Sequence, residues 1–260
     1  MTRIMAITNQ KGGVGKTTTT VNLAASLAAA KQRVLLVDLD PQGNATMGSG
    51  VEKRDLEHSI YHVLLGSKPI ADVIIKSDLG KYDVLPANRE LAGAEIELVD
   101  LAHRETRLKD AINQVAGDYD FVLIDCPPAL NLLTLNGLCA AKSVMIPMQC
   151  EYYALEGLSD LVNTIRRVRA SLNPVLEIEG LLRTMFDPRN TLAQQVSDQL
   201  QQHFGDKVYR TVIPRNVRLA EAPSYGIPVL YHDKASKGTQ AYLALASELL
   251  KIAKRTAATK

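Results

Sequence analysis

Seven short runs rich in Val, Ile and Leu recur along the chain: Ile4–Thr8, Val34–Asp38, Tyr82–Leu85, Phe121–Asp125, Ser143–Pro147, Ile178–Thr184 and Tyr209–Ile213. Longer stretches with helical periodicity separate them. This alternation predicts an α/β fold, a doubly wound, mostly parallel sheet with helices on both faces. Val34-Leu35-Leu36-Val37 and Phe121-Val122-Leu123-Ile124 are apolar throughout, which suits strands covered on both sides and marks both as central.

The first helix is expected from about Thr17 to Lys31, where Leu23, Ala24, Leu27 and Ala28 repeat at helical spacing and Ala fills much of the rest. A second, near Arg89–Val115, carries alternating acidic and basic residues, the mark of a solvated face without chemistry. Ala154–Leu172 and Leu192–Phe204 are expected to be amphipathic crossover helices. No repeat, low-complexity segment or Pro/Gly-rich linker divides the chain, so a single domain over residues 1–260 is expected.

Composition narrows the picture. A hydrophobic content of 46% supports a sizeable core, and 30 basic against 28 acidic residues leave a formal charge of +2. Any nucleic-acid contact must then come from a local patch. Cys126, Cys139 and Cys150 are odd in number, lack C-x-x-C spacing and follow no secretory signal, which points to reduced core thiols in a cytosol. No apolar run approaches the roughly 18 residues of a membrane span.

The chemistry concentrates in Lys11-Gly12-Gly13-Val14-Gly15-Lys16-Thr17, between an apolar strand and an Ala-rich helix. Glycines there let the backbone wrap a phosphate with its N–H groups. Lys16 neutralises phosphate charge, the Thr17 hydroxyl ligates Mg²⁺, and Thr18 completes the loop's nucleotide contacts. ATP with Mg²⁺ is the expected ligand. Two further apolar strands end in carboxylates. Asp38 and Asp40 close one, with alternation pointing both to the same side, and Asp125 closes the other in the manner of a carboxylate that holds Mg²⁺ through water.

The common pattern G-x-x-x-x-G-K-[ST] requires Gly where Gln10 stands, and Lys11 lies five residues before Lys16. In both respects the loop resembles the deviant Walker A family of ATPases. That resemblance implies a dimer in which two subunits sandwich two ATP molecules, with Lys11 reaching the partner's nucleotide. It also implies that Asp40 positions or activates the attacking water. Lys11, Lys16 and Asp40 are thus the expected catalytic set. No arginine-finger candidate occurs in the loop, so slow turnover stimulated by a partner is expected.

Further segments, Asp38-Leu39-Asp40-Pro41-Gln42-Gly43-Asn44-Ala45-Thr46, Leu85-Pro86-Ala87-Asn88, Asp125-Cys126-Pro127-Pro128 and Ile213-Pro214-Arg215-Asn216-Val217-Arg218, resemble the chromosomal ParA (Soj-type) partition proteins over nearly the full chain. The resemblance implies an ATP-dependent homodimer that binds DNA without sequence preference, and a ParB-type partner that stimulates hydrolysis. Cytoplasmic location with nucleoid association in the ATP state follows from it. By position, Arg189 and Arg218 become the DNA contacts and Pro214 and Asn216 the adenine-contacting residues.

Other readings fit less of the chain. A MinD-like membrane ATPase ends in an amphipathic anchor, whereas Leu249–Arg255 followed by polar Thr256–Lys260 reads as the end of a packed helix, so no membrane partner is expected. A nitrogenase-type iron protein needs cluster cysteines in glycine-rich loops. A small-molecule kinase leaves Lys11 unexplained. A large plasmid-type partition protein carries an N-terminal operator-reading domain, for which the first strand, beginning by about Arg3, leaves no room.

Overall fold

A computed structural model of the chain describes residues 2–258. Among them, seven strands form one sheet: β1 (Arg3–Ile7), β2 (Val34–Asp38), β3 (Ile75–Ser77), β4 (Tyr82–Leu85), β5 (Phe121–Asp125), β6 (Ser143–Met148) and β7 (Glu177–Arg183). Their order is β3-β4-β2-β5-β1-β6-β7. Every neighbouring pair is parallel except β3 with β4. The expected doubly wound sheet is therefore present, with an antiparallel edge strand that the sequence pattern did not single out.

Period-two alternation inside the apolar strands feeds two cores. Ile4, Ala6, Leu35, Val37, Val122 and Ile124 face the layer that contains helices Arg107–Val115, Leu132–Ala140 and Ala154–Ser171. Met5, Ile7, Val34, Leu36, Phe121 and Leu123 face the opposite layer. There helix α1 (Lys16–Ala29) supplies Leu23, Ala24 and Leu27, and helix Lys237–Ala258 supplies Tyr242, Leu245 and Leu249. That last helix packs on the core, as expected for Leu249–Arg255; Thr259 and Lys260 lie outside the described residues. All three cysteines are buried and unpaired, and burial pushes each thiol pKa up.

Two expectations are corrected. Tyr209–Ile213 is not a strand, although it runs beside β7 with backbone bonds from Tyr209 N–H to Leu181 O and from Ile213 N–H to Arg183 O. Side chains take over the intervening ladder groups. The Glu248 carboxylate accepts from the N–H groups of Arg210 and Thr211 (2.8 and 2.9 Å), while the Arg183 guanidinium donates to the carbonyl of Tyr209 (2.8 Å). The stretch near Arg89–Val115 is likewise not one helix. It divides into Leu91–Glu97 with a 3₁₀ turn Leu98–Asp100, then Arg107–Val115, with His103 left-handed between them (φ 55°). Arg104 Nη1 donates to Val99 O, and Asn136 accepts from Leu108 N–H while donating to Arg104 O, so side chains satisfy the backbone at the break.

Gly180, on β7, is pressed against the 207–209 segment. A Cβ there would lie 2.6 Å from the Tyr209 ring and 2.9 Å from the Lys207 carbonyl oxygen. Gly180→Ala is therefore expected to destabilise the chain by about 1–3 kcal/mol. A thermal melt should register this as a fall of several degrees, and an unchanged Tm would mean that this edge yields freely.

Candidate functional site

Register assembles the site. Asp38 of β2 is paired with Asp125 of β5, which is paired in turn with Ile7 of β1. Two carboxylates and the start of the glycine loop thus emerge side by side at the carboxyl end of a parallel sheet, where such folds bind ligands. Gly13 (φ 74°) and Gly15 (φ 88°) are left-handed, a conformation that side chains rarely permit. No atom lies within 4 Å of a Cβ built on Gly12 or Gly13, so the loop is open on that side. Gly15 is the N-cap of α1 without a side-chain cap, which leaves helix N–H groups available to an anion.

Side chains converge on this loop. Lys16 is only 7% exposed and its Nζ donates to the Lys11 carbonyl at 3.3 Å. Burial lowers its pKa, opposed by the attraction of Asp125 and Asp40. Thr17 Oγ1 donates to Asp125 Oδ2 (2.7 Å), and Thr20 Oγ1 contacts both Asp125 Oδ1 and the Lys16 carbonyl at 3.0 Å. Asp125 is fully buried; burial, followed by the nearby Asp38 carboxylate, raises its pKa.

Asp38 and Asp40 separate in role. Asp38 is fully buried, and its carboxylate accepts from Thr46 N–H and Oγ1, both at 2.7 Å, and from Asp40 N–H at 3.2 Å. It organises the following loop. Asp40 is part-exposed, accepts from Gln42 N–H at 2.9 Å, and lies within electrostatic reach of Lys16 and Asp125.

Two buried carboxylates crowd each other with Lys16 as the buried cation beside them, and the Thr17 hydroxyl already touches Asp125. Among the described residues no group of three His, Cys, Asp or Glu is placed to hold a metal. A sparse oxygen set is what Mg²⁺ accepts, since it takes one or two protein oxygens and completes its shell with phosphate and water. Thr17 and Asp125 fit that requirement.

The remaining expected residues lie around this centre. Lys11 is half-exposed; its Nζ pairs with Glu151 Oε2 at 2.5 Å and its N–H donates to Asn9 Oδ1. Thr18 lines a cavity of about 320 Å³ with Val21, Asn44, Met47, Pro223 and Ile227. Pro214 pairs with Phe186 in an isolated parallel bridge, while Asn216 Oδ1 caps helix Val217–Glu221 through Leu219 N–H. Arg189, 89% exposed at the side chain, forms a two-pronged pair with Asp187 (2.8 and 3.0 Å) that holds the Asp187 pKa well below the usual range. Arg218 pairs with Glu221 at 2.8 Å and Asp233 at 3.3 Å.

Sequence reasoning missed four polar residues that hold this arrangement: Thr20 on Asp125, Thr46 on Asp38, Glu151 on Lys11, and Thr184, whose hydroxyl donates to the Val14 carbonyl at 2.7 Å. Thr20 had a readable signal, since it stands one helical turn after Lys16. Thr46 ends the Asp38–Thr46 segment, where sequence reasoning assigned it no role, and Glu151 and Thr184 are brought in by tertiary packing.

A seven-stranded, mostly parallel sheet with a glycine loop, a buried lysine and a strand-end carboxylate defines a P-loop nucleotide hydrolase. Residues 2–178 match the family model described as an AAA domain. The Bacillus subtilis sporulation initiation inhibitor protein Soj is 57% identical over 249 residues, covering 96% of this chain and 98% of that protein. The Caulobacter vibrioides chromosome partitioning protein ParA is 54% identical over 250 residues, covering 95% and 94%. A solved Mycobacterium smegmatis structure, described as cobyrinic acid a,c-diamide synthase with bound ATP analogue and magnesium, superposes with a TM-score of 0.86 at 40% identity, covering 98% of this chain and 96% of that one. The chain belongs to the ParA/Soj family of chromosome-partition ATPases.

The carboxylate crowding has a measurable consequence. A carboxyl whose pKa rises on folding keeps its proton in the folded chain after the unfolded chain has released it, so stability falls as pH rises above the ordinary carboxylate range. Asp125→Asn is uncharged at every pH, and its amide can still meet the two threonine hydroxyls. In protein free of magnesium and nucleotide it should melt higher than the parent at about pH 8 and decline less from about pH 5 upward. Its Mg-ATP affinity should fall roughly tenfold or more. A lower Tm at every pH would refute the crowding.

Proposed function

We propose that this chain is a dimeric ATP switch that binds non-specific DNA in its ATP state, moves chromosomal or plasmid cargo, and is reset when a ParB-type partner stimulates hydrolysis. The observation that carries this reading is the contrast between the two loop lysines. Lys16 is buried against its own loop, whereas Lys11 is turned outward onto Glu151. An outward cation at the mouth of a phosphate site suits a nucleotide held by a second copy.

In this reading Lys16 neutralises phosphate charge, Thr17 and Asp125 hold Mg²⁺, with Asp125 acting through water, and Asp40 orients the attacking water. Mg²⁺, when bound, supplies further positive charge at the phosphates. Pro214 and Asn216 contact adenine. Arg189 and Arg218 take DNA phosphates, binding that is blind to sequence and sensitive to salt. The chain works as the single domain expected over residues 1–260, in the cytoplasm and on the nucleoid while ATP-bound.

Two rival readings receive less support. The MinD-like reading needs a free amphipathic face on the last helix, and that helix spends Leu245 and Leu249 on the core. The synthase name belongs to a structure 40% identical to this chain, while the partition proteins reach 54–57%. ADP formation only on addition of a small-molecule acceptor would favour a kinase or synthase.

One experiment separates these readings: binding to non-specific DNA and to liposomes with ADP, ATP and a non-hydrolysable ATP analogue. DNA binding with the triphosphates and no lipid binding is expected, and Arg189→Glu or Arg218→Glu should weaken it roughly tenfold at low salt. Equal DNA affinity with ADP would sink the switch. Asp40→Ala should bind ATP, lose turnover and accumulate as a DNA-bound dimer, while Lys11→Ala should bind nucleotide but remain monomeric in light scattering. Normal turnover in the first variant, or a stable ATP dimer of the second, would remove that residue from its role.

A further inference from the structure

Thr184, the residue after β7, touches the phosphate loop and stands five residues before Arg189. Thr184 is 2% exposed. Its N–H donates to Met148 O at 2.8 Å, which fixes it to β6, and its Oγ1 donates to Val14 O at 2.7 Å. Its methyl group lies 3.8 Å from the position a Cβ on Gly15 would take. In a trans peptide the carbonyl oxygen and the next N–H point in opposite directions across one rigid plane. Pinning the Val14 oxygen therefore sets the direction of the Gly15 N–H, at the cap of α1 where phosphate donors are needed.

On its other side Thr184 is followed by Met185, a non-glycine residue in the left-handed region (φ 48°). Side chains with a Cβ occupy that region only where surrounding contacts impose it. Here the contacts come at once: Phe186 N–H donates to Ile213 O at 3.0 Å, and Phe186 bridges Pro214. Asp187 then takes the Arg189 guanidinium and backbone N–H, with Arg215 also within its field. The Phe186–Arg189 turn follows Thr184 through one constrained residue and is tied to the Pro214–Arg218 segment, which is also held to β7 by the bond from Ile213 N–H to Arg183 O.

We propose that Thr184 is a positioning residue with two outputs: it orients the Val14–Gly15 peptide of the phosphate loop, and through Met185 it fixes the Arg189 and Pro214–Arg218 surface to that loop. This inference rests on the DNA-binding reading above for its second output and is independent of it for the first. A shift of the loop on taking up triphosphate moves the arginine surface with it, because the hydroxyl bond and the left-handed turn leave little slack. Nucleotide state and DNA affinity are then linked inside one subunit, in addition to any effect of dimer formation.

The test uses the full chain with Thr184→Val, which keeps shape but loses the hydroxyl, Thr184→Ser, which keeps the hydroxyl, and Met185→Gly, which frees the turn. Two quantities are measured: affinity for a fluorescent ATP analogue with Mg²⁺, and the ratio of DNA affinities with non-hydrolysable triphosphate and with ADP. Thr184→Val should lower both by about fivefold, the scale of one lost buried hydrogen bond, and Thr184→Ser should restore both to within about twofold. Met185→Gly should leave nucleotide affinity near the parent value and still lower the ratio. An unchanged ratio in Thr184→Val or Met185→Gly, or a Thr184→Ser variant as impaired as the valine, overturns the proposal. A parent chain without triphosphate-dependent DNA binding instead overturns the functional reading, and the orienting role then stands or falls on nucleotide affinity in valine against serine.

Discussion

In-register pairing of β2, β5 and β1 forces Asp38 and Asp125 onto adjacent strand ends with the glycine loop and Lys16 beside them. Both carboxylates are fully buried, and burying charge is costly unless it is paired and hydrogen-bonded. The chain meets that cost differently at each. Asp38 accepts three hydrogen bonds, from Thr46 N–H and Oγ1 and from Asp40 N–H, which oppose the rise that burial imposes on its pKa and make it a fixed anchor for the loop after β2. Asp125 receives two threonine hydroxyls and remains short of positive charge, and that shortage is what a divalent cation can relieve. The crowding that costs the fold stability is the same feature that favours a divalent cation at this point.

Lys16 follows from the same constraint. It is buried enough for its pKa to fall, yet Asp125 and Asp40 oppose that fall. The lysine and the carboxylates hold one another in place through charge and through the α1 backbone, since Thr20 contacts both the Lys16 carbonyl and Asp125. Side chains packed in this way lose little freedom when a phosphate arrives, which is how a site is preorganised.

The central strands were legible because both faces of each are covered, so Val34–Asp38 and Phe121–Asp125 stand where the apolar runs placed them. The glycine loop was legible because backbone conformation needs glycine at Gly13 and Gly15 and the chemistry needs a neighbouring lysine and hydroxyl. Tyr209–Ile213 misled because its composition suits a strand, while Glu248 and Arg183, distant in sequence, claim its backbone groups. Arg89–Val115 misled for a related reason: Asn136 lies far along the chain and stabilises a break that the local charge pattern does not mark. Thr184 and Glu151 are ordinary polar residues in sequence and acquire meaning only when β7 and the start of helix Ala154–Ser171 are brought to the loop.

The exposed cations share a further logic. Lys11, Arg189 and Arg218 each carry an acidic partner: Glu151, Asp187, and Glu221 with Asp233. Ion pairs at exposed positions contribute little to stability, because water screens the attraction and two long side chains must be ordered to make it. Such partners therefore hold the cations in place without locking them. A phosphate offers a full charge and several acceptor oxygens to the same donors, so exchanging a carboxylate for a phosphate takes little free energy. An acidic residue beside a cation is thus compatible with a role in phosphate binding, and the surface pairs need not count against the switch. What would count against it is deep burial of these side chains, and all three are half-exposed or more.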